Sequence, residues 1–376
     1  MILPGATLGM LGGGQLGRMF TTAAQTMGYK VIVLDPDKDS PAGIIADQHI
    51  CAAYDDETAL TQLAAECAAI STEFENIPAS TLAFLEQRTV VHPSSQALAK
   101  TQNRNVEKNF IRSQGIATVP FVSIYKRDDL AGAAEKIRFP AILKVATFGY
   151  DGKGQVVCED LEAAYAAFDR LDQKECVLEQ RIDLEREISV VLARSQNGDI
   201  NAFPVAENVH INGILHSTTV PSHAGTELKQ AAIEKAGKIA QGLDYVGTLA
   251  VEFFISRQGE VIANEIAPRP HNSGHYTLDA CATSQFEQQV RMLCDLPAGD
   301  VSLQSPVVMI NLLGDVWGQS QPHWDQLLVE PNIKLHLYGK IAARPGRKMG
   351  HFNVLAAETA AAMKQAEQVF TALQAD

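Results

Sequence analysis

The feature that most constrains this chain is its first ninety residues, where short apolar or β-branched runs alternate with helical stretches. Residues 6–11 are apolar, 12–17 read G-G-G-Q-L-G, 16–27 have helical character, and 31–34 form a β-branched run closed by Asp35 and Pro36. Residues 70–74 and 90–91 read as later strands, with helices expected over 58–67 and 80–87. This β-α-β-α order predicts a parallel sheet with helices on its faces. Glycines between a strand and a helix permit a tight turn and let backbone N–H groups approach an anion. With Asp35 near ribose-binding spacing, the turn fits either a dinucleotide site or a plain crossover, and this segment alone does not choose between them.

From Lys100 onward the pattern changes. Residues 101–116 read as one helix ended at Gly115, followed by a strand at 121–125, a helix at 128–137 and the strand A-I-L-K-V after Pro140. Strands are expected at 155–158, 176–180 and 186–194, a helix at 161–171, hairpin-like segments to about 219 and a helix at 227–243. A hairpin over 248–255 and 260–266 turns on S-R-Q-G, and after Asp295-Leu296-Pro297 come several short strands and an alanine-rich C-terminal helix. The expected class is α/β plus α+β in three units: 1–104, 105–295 with a lid subdomain at about 118–185, and a small β-rich 296–376.

With 376 residues, 46% hydrophobic and 20% charged, the chain can bury sizeable cores. A net charge of −13 argues against non-specific binding to nucleic acid or to an anionic membrane surface. No apolar run reaches the roughly 18 residues that span a bilayer, and no secretory leader is evident, so a cytoplasmic location is expected. The six cysteines form no C-x-x-C pair, so free buried thiols are expected rather than zinc or redox chemistry.

Three stretches carry chemistry. In V-E-F-F-I, alternation places Val251, Phe253 and Ile255 on one face and Glu252 on the other; in A-N-E-I-A, Glu265 lies among apolar residues on the other arm of the hairpin. Two carboxylates on adjacent strands suit a shared Mg²⁺, with Asn264 as a further polar contact, or else two solvated edge side chains. Directly after them, A-P-R-P-H-N-S-G-H crowds Arg269, His271, Asn272, Ser273 and His275 into seven residues, a donor-rich segment suited to phosphate or carboxylate. Third, T-F-G-Y-D-G-K-G-Q at 147–155 alternates glycines with Tyr150, Asp151 and Lys153.

Lys144 on a strand, that Gly-rich loop, E-Q-R-I at 179–182, Glu187 and the E…NE pair together resemble the ATP-grasp superfamily. G-G-G-Q-L-G-R-M, T-E-F-E-N-I-P, G-Y-D-G-K-G-Q, N-E-I-A-P-R-P-H-N-S-G-H and R-P-G-R-K-M-G-H, in this order, resemble its 5-(carboxyamino)imidazole ribonucleotide synthase family. The resemblance implies a ligase that joins ATP, bicarbonate and 5-aminoimidazole ribonucleotide in purine biosynthesis, through carboxyphosphate. It implies Mg²⁺ on Glu252 and Glu265, ATP phosphates on Lys144, and Lys100 as an outer cation where relatives often carry Arg. Glu179, Gln180, Arg181 and Ile182 would read adenine, Glu187 the ribose, and His210 and Asn264 would add ATP contacts. Gly149, Tyr150, Asp151, Gly152, Lys153, Gly154 and Gln155 would form a lid over the phosphates, with Tyr150, Asp151, Lys153 and Arg269 facing the reacting groups. Gln15, Leu16, Glu73, Arg269, His271, Asn272, Ser273, Lys340, Arg347 and Lys348 would hold the ribonucleotide, and a homodimer is implied. The formate-dependent glycinamide ribonucleotide enzyme shares the metal pair and lid, but Gln15 and Asn272 favour the first assignment. An oxidoreductase using the Gly-rich turn leaves the E…NE pair, the lid and R-P-G-R-K unexplained, and an intact metal pair, Lys144 and lid argue against a nucleotide sensor without turnover.

Overall fold

The computed structural model describes residues 1–147, 149, 154–318 and 320–374. Five parallel strands open the chain, β1 (Thr7–Leu11), β2 (Lys30–Leu34), β3 (Gln48–Ile50), β4 (Ala69–Thr72) and β5 (Val90–Val91), in the spatial order β3-β2-β1-β4-β5. The expected parallel sheet is present. Its edge strand β3 escaped the sequence reading because Gln48 and His49 interrupt any apolar alternation. Helix α1 (Gln15–Thr26) covers one face of the sheet, and α2 (Glu57–Glu66) and α3 (Ala79–Glu86) cover the other.

The single helix expected over 101–116 is two helices, α4 (Ser95–Thr101) and α5 (Arg104–Ser113). Asn103 breaks the run: its backbone is extended, and its side chain accepts from the N–H groups of Asn105 and Val106. This is an N-cap, which competes with helix continuation by giving orphan donors a partner. The same amide donates to Glu175 at 3.1 Å, tying the start of α5 to the next sheet.

That next sheet is antiparallel: β6 (Phe121–Ile124), β7 (Ala141–Val145), β8 (Gln155–Cys158) and β9 (Cys176–Gln180), ordered β6-β9-β7-β8. Helices α6 (Asp129–Ala134) and α7 (Leu161–Arg170) back it with Leu130, Ala164 and Phe168. Helix α6 stops short of the expected 128–137.

The third sheet has nine strands: β10 (Leu184–Arg194), β11 (Ile200–Ala202), β12 (Ala206–Ile211), β13 (Ile214–Val220), β14 (Gly247–Ser256), β15 (Val261–Ala267), β16 (Val307–Leu313), β17 (Ile333–Leu337) and β18 (Lys348–Leu355). Their order is β15-β14-β10-β12-β13-β16-β18-β17, with β11 pairing β10. Helix α8 (Thr226–Gly242) packs Ala232, Ala236 and Ile239 on Val251, Phe253 and Ile255, the apolar face of β14. Strand β13 bonds to β16, so the C-terminal strands extend this sheet instead of forming a separate one.

The short α9 (Thr277–Ala280) leads to α10 (Gln285–Leu293), whose Val290 and Leu293 complete the core on the α1 face of the first sheet. A parallel sheet needs both faces covered, and part of that cover comes from nearly 200 residues downstream of the sheet's last strand. Buried Gln289 donates to Ser71 Oγ on β4 at 2.7 Å and accepts the N–H of Thr248 on β14, locking the two sheets together. Helices α11 (Trp324–Leu328) and α12 (Thr359–Leu373) cover β16 and β18.

Cys67, Cys158, Cys176 and Cys294 are buried free thiols, Cys281 is half-buried, and Cys51 is exposed, against the expectation that all are buried. Among the described residues, no helix is long and apolar enough to cross a membrane.

Asn103→Ala removes the cap that separates α4 from α5. Loss of about 1 kcal/mol of stability is expected, read as a lower urea midpoint at unchanged slope.

Candidate functional site

A cavity of about 960 Å³ lies where the three sheets meet. The hairpin β14–β15 supplies its most constrained element. Glu252 and Glu265 are direct cross-strand partners, and immediately beyond them the register shifts so that Phe253 pairs with Ala263. Asn264 is therefore the extra residue of a β-bulge, which re-aims side chains at the point where pairing is disturbed. As a result Asn264 and Glu265, adjacent in sequence, both line the cavity with Glu252. Burial and the neighbouring Glu265 push the Glu252 carboxyl above its ordinary range. Burial alone would raise Glu265 as well, but the Arg104 guanidinium, 2.8 Å away, holds it below. Asn264 Oδ1 is buried and has no hydrogen-bond partner among the described residues. Two carboxylate oxygens and an unpartnered amide oxygen make a hard-donor set that fits Mg²⁺, which bridges phosphates and needs few protein ligands.

The cations around this pair are held by buried carboxylates. Glu179, at the end of β9, receives Lys144 of β7 at 2.7 Å and Lys108 of α5 at 3.0 Å. Burial would raise the Glu179 carboxyl, yet the two ammonium groups hold it down to about 2. The Lys108 side chain is fully buried, and desolvation lowers its own pKa. The sequence reading assigned Glu179 to the adenine-facing chain edge; its side chain also orients Lys144. His210 on β12 meets Glu187 on β10 at 2.7 Å. Burial would lower this imidazole, and Glu187 carries it above its usual value.

At the other end of the cavity, the Gly-rich turn is already filled by the chain's own carboxylates. Glu73 accepts the N–H groups of Gly14 at 2.7 Å and Gly17 at the start of α1, while Asp35 accepts from Gly13 at 2.6 Å. A Cβ at Gly12 or Gly14 would collide with the Glu73 side chain, which is why glycine stands there. The N–H groups that a dinucleotide pyrophosphate would need are thus occupied, and the oxidoreductase reading loses its site. Burial pushes the Glu73 carboxyl up to about 7 despite these bonds. Lys340 donates to Gln15 Oε1 at 2.7 Å, joining the C-terminal segment to this turn. Arg269 is gripped by Glu75 through two contacts of 2.6 and 3.2 Å. His271 Nε2 lies 3.5 Å from Glu252, and burial, Arg269 and Lys348 hold its imidazole neutral, with the pKa down to about 3.

Of the expected residues, Gln15, Leu16, Glu73, Lys144, Gly149, Gly154, Gln155, Glu179, Gln180, Arg181, Ile182, Glu187, His210, Glu252, Asn264, Glu265, Arg269, His271, Asn272 and Lys348 line this one cavity. Ser273 is buried behind His271. Arg347 bonds the carbonyl of Ala342 and, like Lys340, is not among the lining residues. Tyr150, Asp151, Gly152 and Lys153 lie outside the described residues. Lys100 does not line the cavity; it sits in the last turn of α4 with its ammonium 5.2 Å from the Phe110 ring. Arg104, just past the Asn103 cap, lines it instead. Reading 101–116 as one helix hid this, because the break changes which side chains face the cavity. Glu75, Glu107 and Lys108 were also missed, since isolated charges on a helix or after a strand look solvated until the tertiary partner is known.

Comparison with known proteins fits these three parts. Family models match residues 5–102 as a ribonucleotide synthetase preATP-grasp domain, 109–286 as an ATP-grasp domain and 307–365 as a phosphoribosylaminoimidazole carboxylase C-terminal domain. The N5-carboxyaminoimidazole ribonucleotide synthase of Bacillus subtilis is 44% identical over 355 residues, covering 94% of this chain and 93% of its own. The chain belongs to the N5-carboxyaminoimidazole ribonucleotide synthase family. Within that family, the Staphylococcus aureus enzyme complexed with ADP has a TM-score of 0.93 at 39% identity, covering 98% of each chain. The Aspergillus clavatus enzyme in complex with ADP and 5-aminoimidazole ribonucleotide has a TM-score of 0.90 at 29% identity, again covering 98% of each. Its fold is that of this ATP-grasp family: a parallel-sheet N-terminal domain, the grasp itself and antiparallel C-terminal strands.

Lys108→Met leaves Glu179 with one of its two cations, and a loss of about 3 kcal/mol is expected. A depressed carboxylate stabilises the fold above its unfolded pKa and loses that contribution as pH falls through its folded one. The wild-type-to-variant difference in denaturant midpoint should therefore be widest above pH 4.5 and shrink as pH falls toward 2.

Proposed function

We propose that this cavity carries out the ATP-dependent carboxylation of 5-aminoimidazole ribonucleotide by bicarbonate, forming N5-carboxyaminoimidazole ribonucleotide, ADP and phosphate for purine biosynthesis. The observation that carries the reading is that the Glu252–Glu265 pair with Arg104 and Lys144, and the donor group Gln15, Arg269, His271, Asn272 and Lys348, line a single cavity, with His271 beside Glu252 where the two groups meet. A metal–triphosphate site and an anion-binding ribonucleotide site therefore share one volume, as a transfer between two substrates requires. That a relative is solved with both ADP and 5-aminoimidazole ribonucleotide supports it.

Bicarbonate oxygen attacks the γ-phosphorus, ADP leaves, and carboxyphosphate forms. The exocyclic amine then takes the carboxyl carbon, either from carboxyphosphate as phosphate departs or from CO₂ that carboxyphosphate has released along with phosphate, and one amine proton is lost. Phosphoryl transfer asks the protein for positioning and charge neutralisation. Glu252, Glu265 and Asn264 would hold Mg²⁺, which would supply that charge neutralisation. Lys144, held by Glu179, is placed for the phosphates as a point charge, and Arg104 takes the outer-cation role assigned to Lys100 by sequence. Arg104 can bond phosphate in a bidentate manner that lysine cannot match. Glu187 and His210 take the ribose, and the chain at 179–182 takes adenine. Tyr150, Asp151 and Lys153 are assigned by sequence to the reacting groups, with Gly149, Gly152, Gly154 and Gln155 closing over the phosphates. Closure protects carboxyphosphate from water. Lys340, Arg347 and Lys348 complete the ribonucleotide end, and the buried Ser273 acts on it through His271. The units 1–104, 105–295 and 296–376 each contribute to the site, and a cytoplasmic homodimer is the assembly proposed.

ADP formation with Mg²⁺, ATP and bicarbonate is expected to require 5-aminoimidazole ribonucleotide; turnover only with glycinamide ribonucleotide and formate would overturn the assignment. Glu265→Gln should lower metal-dependent ADP release by at least about 100-fold, measured in a coupled assay. Arg347→Ala should raise the ribonucleotide KM about 10-fold with kcat nearly kept, the signature of lost ground-state binding.

A further inference from the structure

Behind His271 runs an unbroken line of buried hydroxyl and amide groups drawn from three strands. Thr218 of β13 donates to Asn208 Oδ1 at 3.0 Å, Asn208 Nδ2 of β12 donates to Ser189 Oγ at 3.0 Å, and Ser189 of β10 donates to Ser273 Oγ at 2.7 Å. Ser273 Oγ in turn lies 2.8 Å from His271 Nδ1. Thr218, Ser189 and Ser273 are fully buried and Asn208 nearly so. No catalytic role explains Thr218, Asn208 or Ser189, and none of them lines the cavity.

The line has a direction. An amide nitrogen only donates, so Ser189 accepts from Asn208 and keeps its own proton free to donate to Ser273. The Ser273 proton is then left for His271 Nδ1. A second, independent contact agrees: the backbone N–H of Ser273 points at the same nitrogen at 3.3 Å, and a backbone N–H cannot accept. Nδ1 is thus an acceptor. In a neutral imidazole the proton then sits on Nε2, the nitrogen that faces Glu252. The backbone of His271 is clamped as well: Gln285 accepts its N–H at 2.9 Å and donates to its carbonyl at 2.8 Å. Both the ring and the main chain of this one residue are over-determined.

We propose that Asn208 and Ser189 are positioning residues that, through Ser273, hold His271 as the neutral Nε2–H tautomer, presenting a fixed hydrogen-bond donor to the reacting end of the cavity. An Nε2–H in that place can hold a carboxylate or a carboxyl oxygen of the substrate without itself carrying charge. Groups that orient a site imidazole by its second nitrogen fix its tautomer and direction, and their removal commonly costs 10- to 100-fold in activity. The kinetic part of this proposal rests on the carboxylation reading; the tautomer does not.

The test is ¹⁵N-histidine NMR of the full chain, with the His271 ring assigned by its loss in His271→Gln. Wild-type protein should show a bare Nδ1 and a protonated Nε2; a protonated Nδ1 would overturn the proposal. Asn208→Asp keeps the shape but replaces the donor by an acceptor, turning the Ser189 proton back toward position 208. It should shift the His271 ring signals and lower kcat by about 10-fold or more, with the KM for ATP unchanged. Ser189→Ala should do the same, and Ser189→Thr, which keeps the hydroxyl, should restore both readings. Unchanged ring signals and kcat in both Asn208→Asp and Ser189→Ala would also overturn it. Absence of turnover in the wild type would count against the carboxylation reading alone, because the ring signals still decide the tautomer.

Discussion

Two carboxylates set opposite one another on adjacent strands would repel and be costly to bury without a counter-charge. Glu252 and Glu265 are in that position, on the same rung of the β14–β15 hairpin. Much of the surrounding structure follows from that constraint. Arg104 is brought to Glu265 from the start of α5, and the Asn103 cap begins that helix where the guanidinium can reach. The bulge at Asn264 adds a neutral oxygen on the same side. His271 stands by Glu252 as an uncharged ring. The hairpin itself is pinned by α8 on its apolar face, so the acidic pair cannot relax apart.

The same logic, in reverse, organises the cations. In a chain of net charge −13, four cationic side chains in and beside the cavity are held in place by carboxylates: Lys144 and Lys108 by Glu179, Arg104 by Glu265, Arg269 by Glu75. Buried pairs of this kind are weak evidence for stability but strong determinants of geometry. Carboxylates also occupy the Gly-rich turn, where Glu73 sits at the N-terminus of α1, favoured there by the helix dipole and by unpaired N–H groups. A strand-turn-helix that looks like a dinucleotide site is thereby converted into a wall of the cavity. Gln15 and Leu16 line that wall.

The three units are joined by specific bonds. Gln289 ties α10 to β4 and β14, Lys340 reaches Gln15, and Asn272 and Asn311 exchange a reciprocal pair of amide hydrogen bonds at 3.0 and 2.8 Å. An Asp at position 272 would present an acceptor to Asn311 Oδ1 where the pair needs a donor, so the asparagine that separated the two ribonucleotide readings has a structural partner as well.

The sequence by itself determined the local elements and the chemical inventory. Alternation and glycine placement specify the parallel sheet and the hairpin, because periods of 2 and 3.6 residues are written directly in the chain. The acidic pair and the A-P-R-P-H-N-S-G-H segment were legible because they follow one another along one stretch of chain, and Lys144 because it stands on a strand just before the Gly-rich loop. Tertiary structure alone decided which distant charges meet. Arg104 rather than Lys100 faces the cavity because a side-chain cap, not periodicity, divides α4 from α5. Glu179 became a partner of two lysines because β9 passes beside both β7 and α5. The line from Thr218 to His271 draws on four separate segments, and its members are ordinary buried polar residues until the fold brings them to hydrogen-bonding distance. Hydrogen bonds and ion pairs act over a few ångströms, whereas these partners lie tens of residues apart, so only the folded chain could select them.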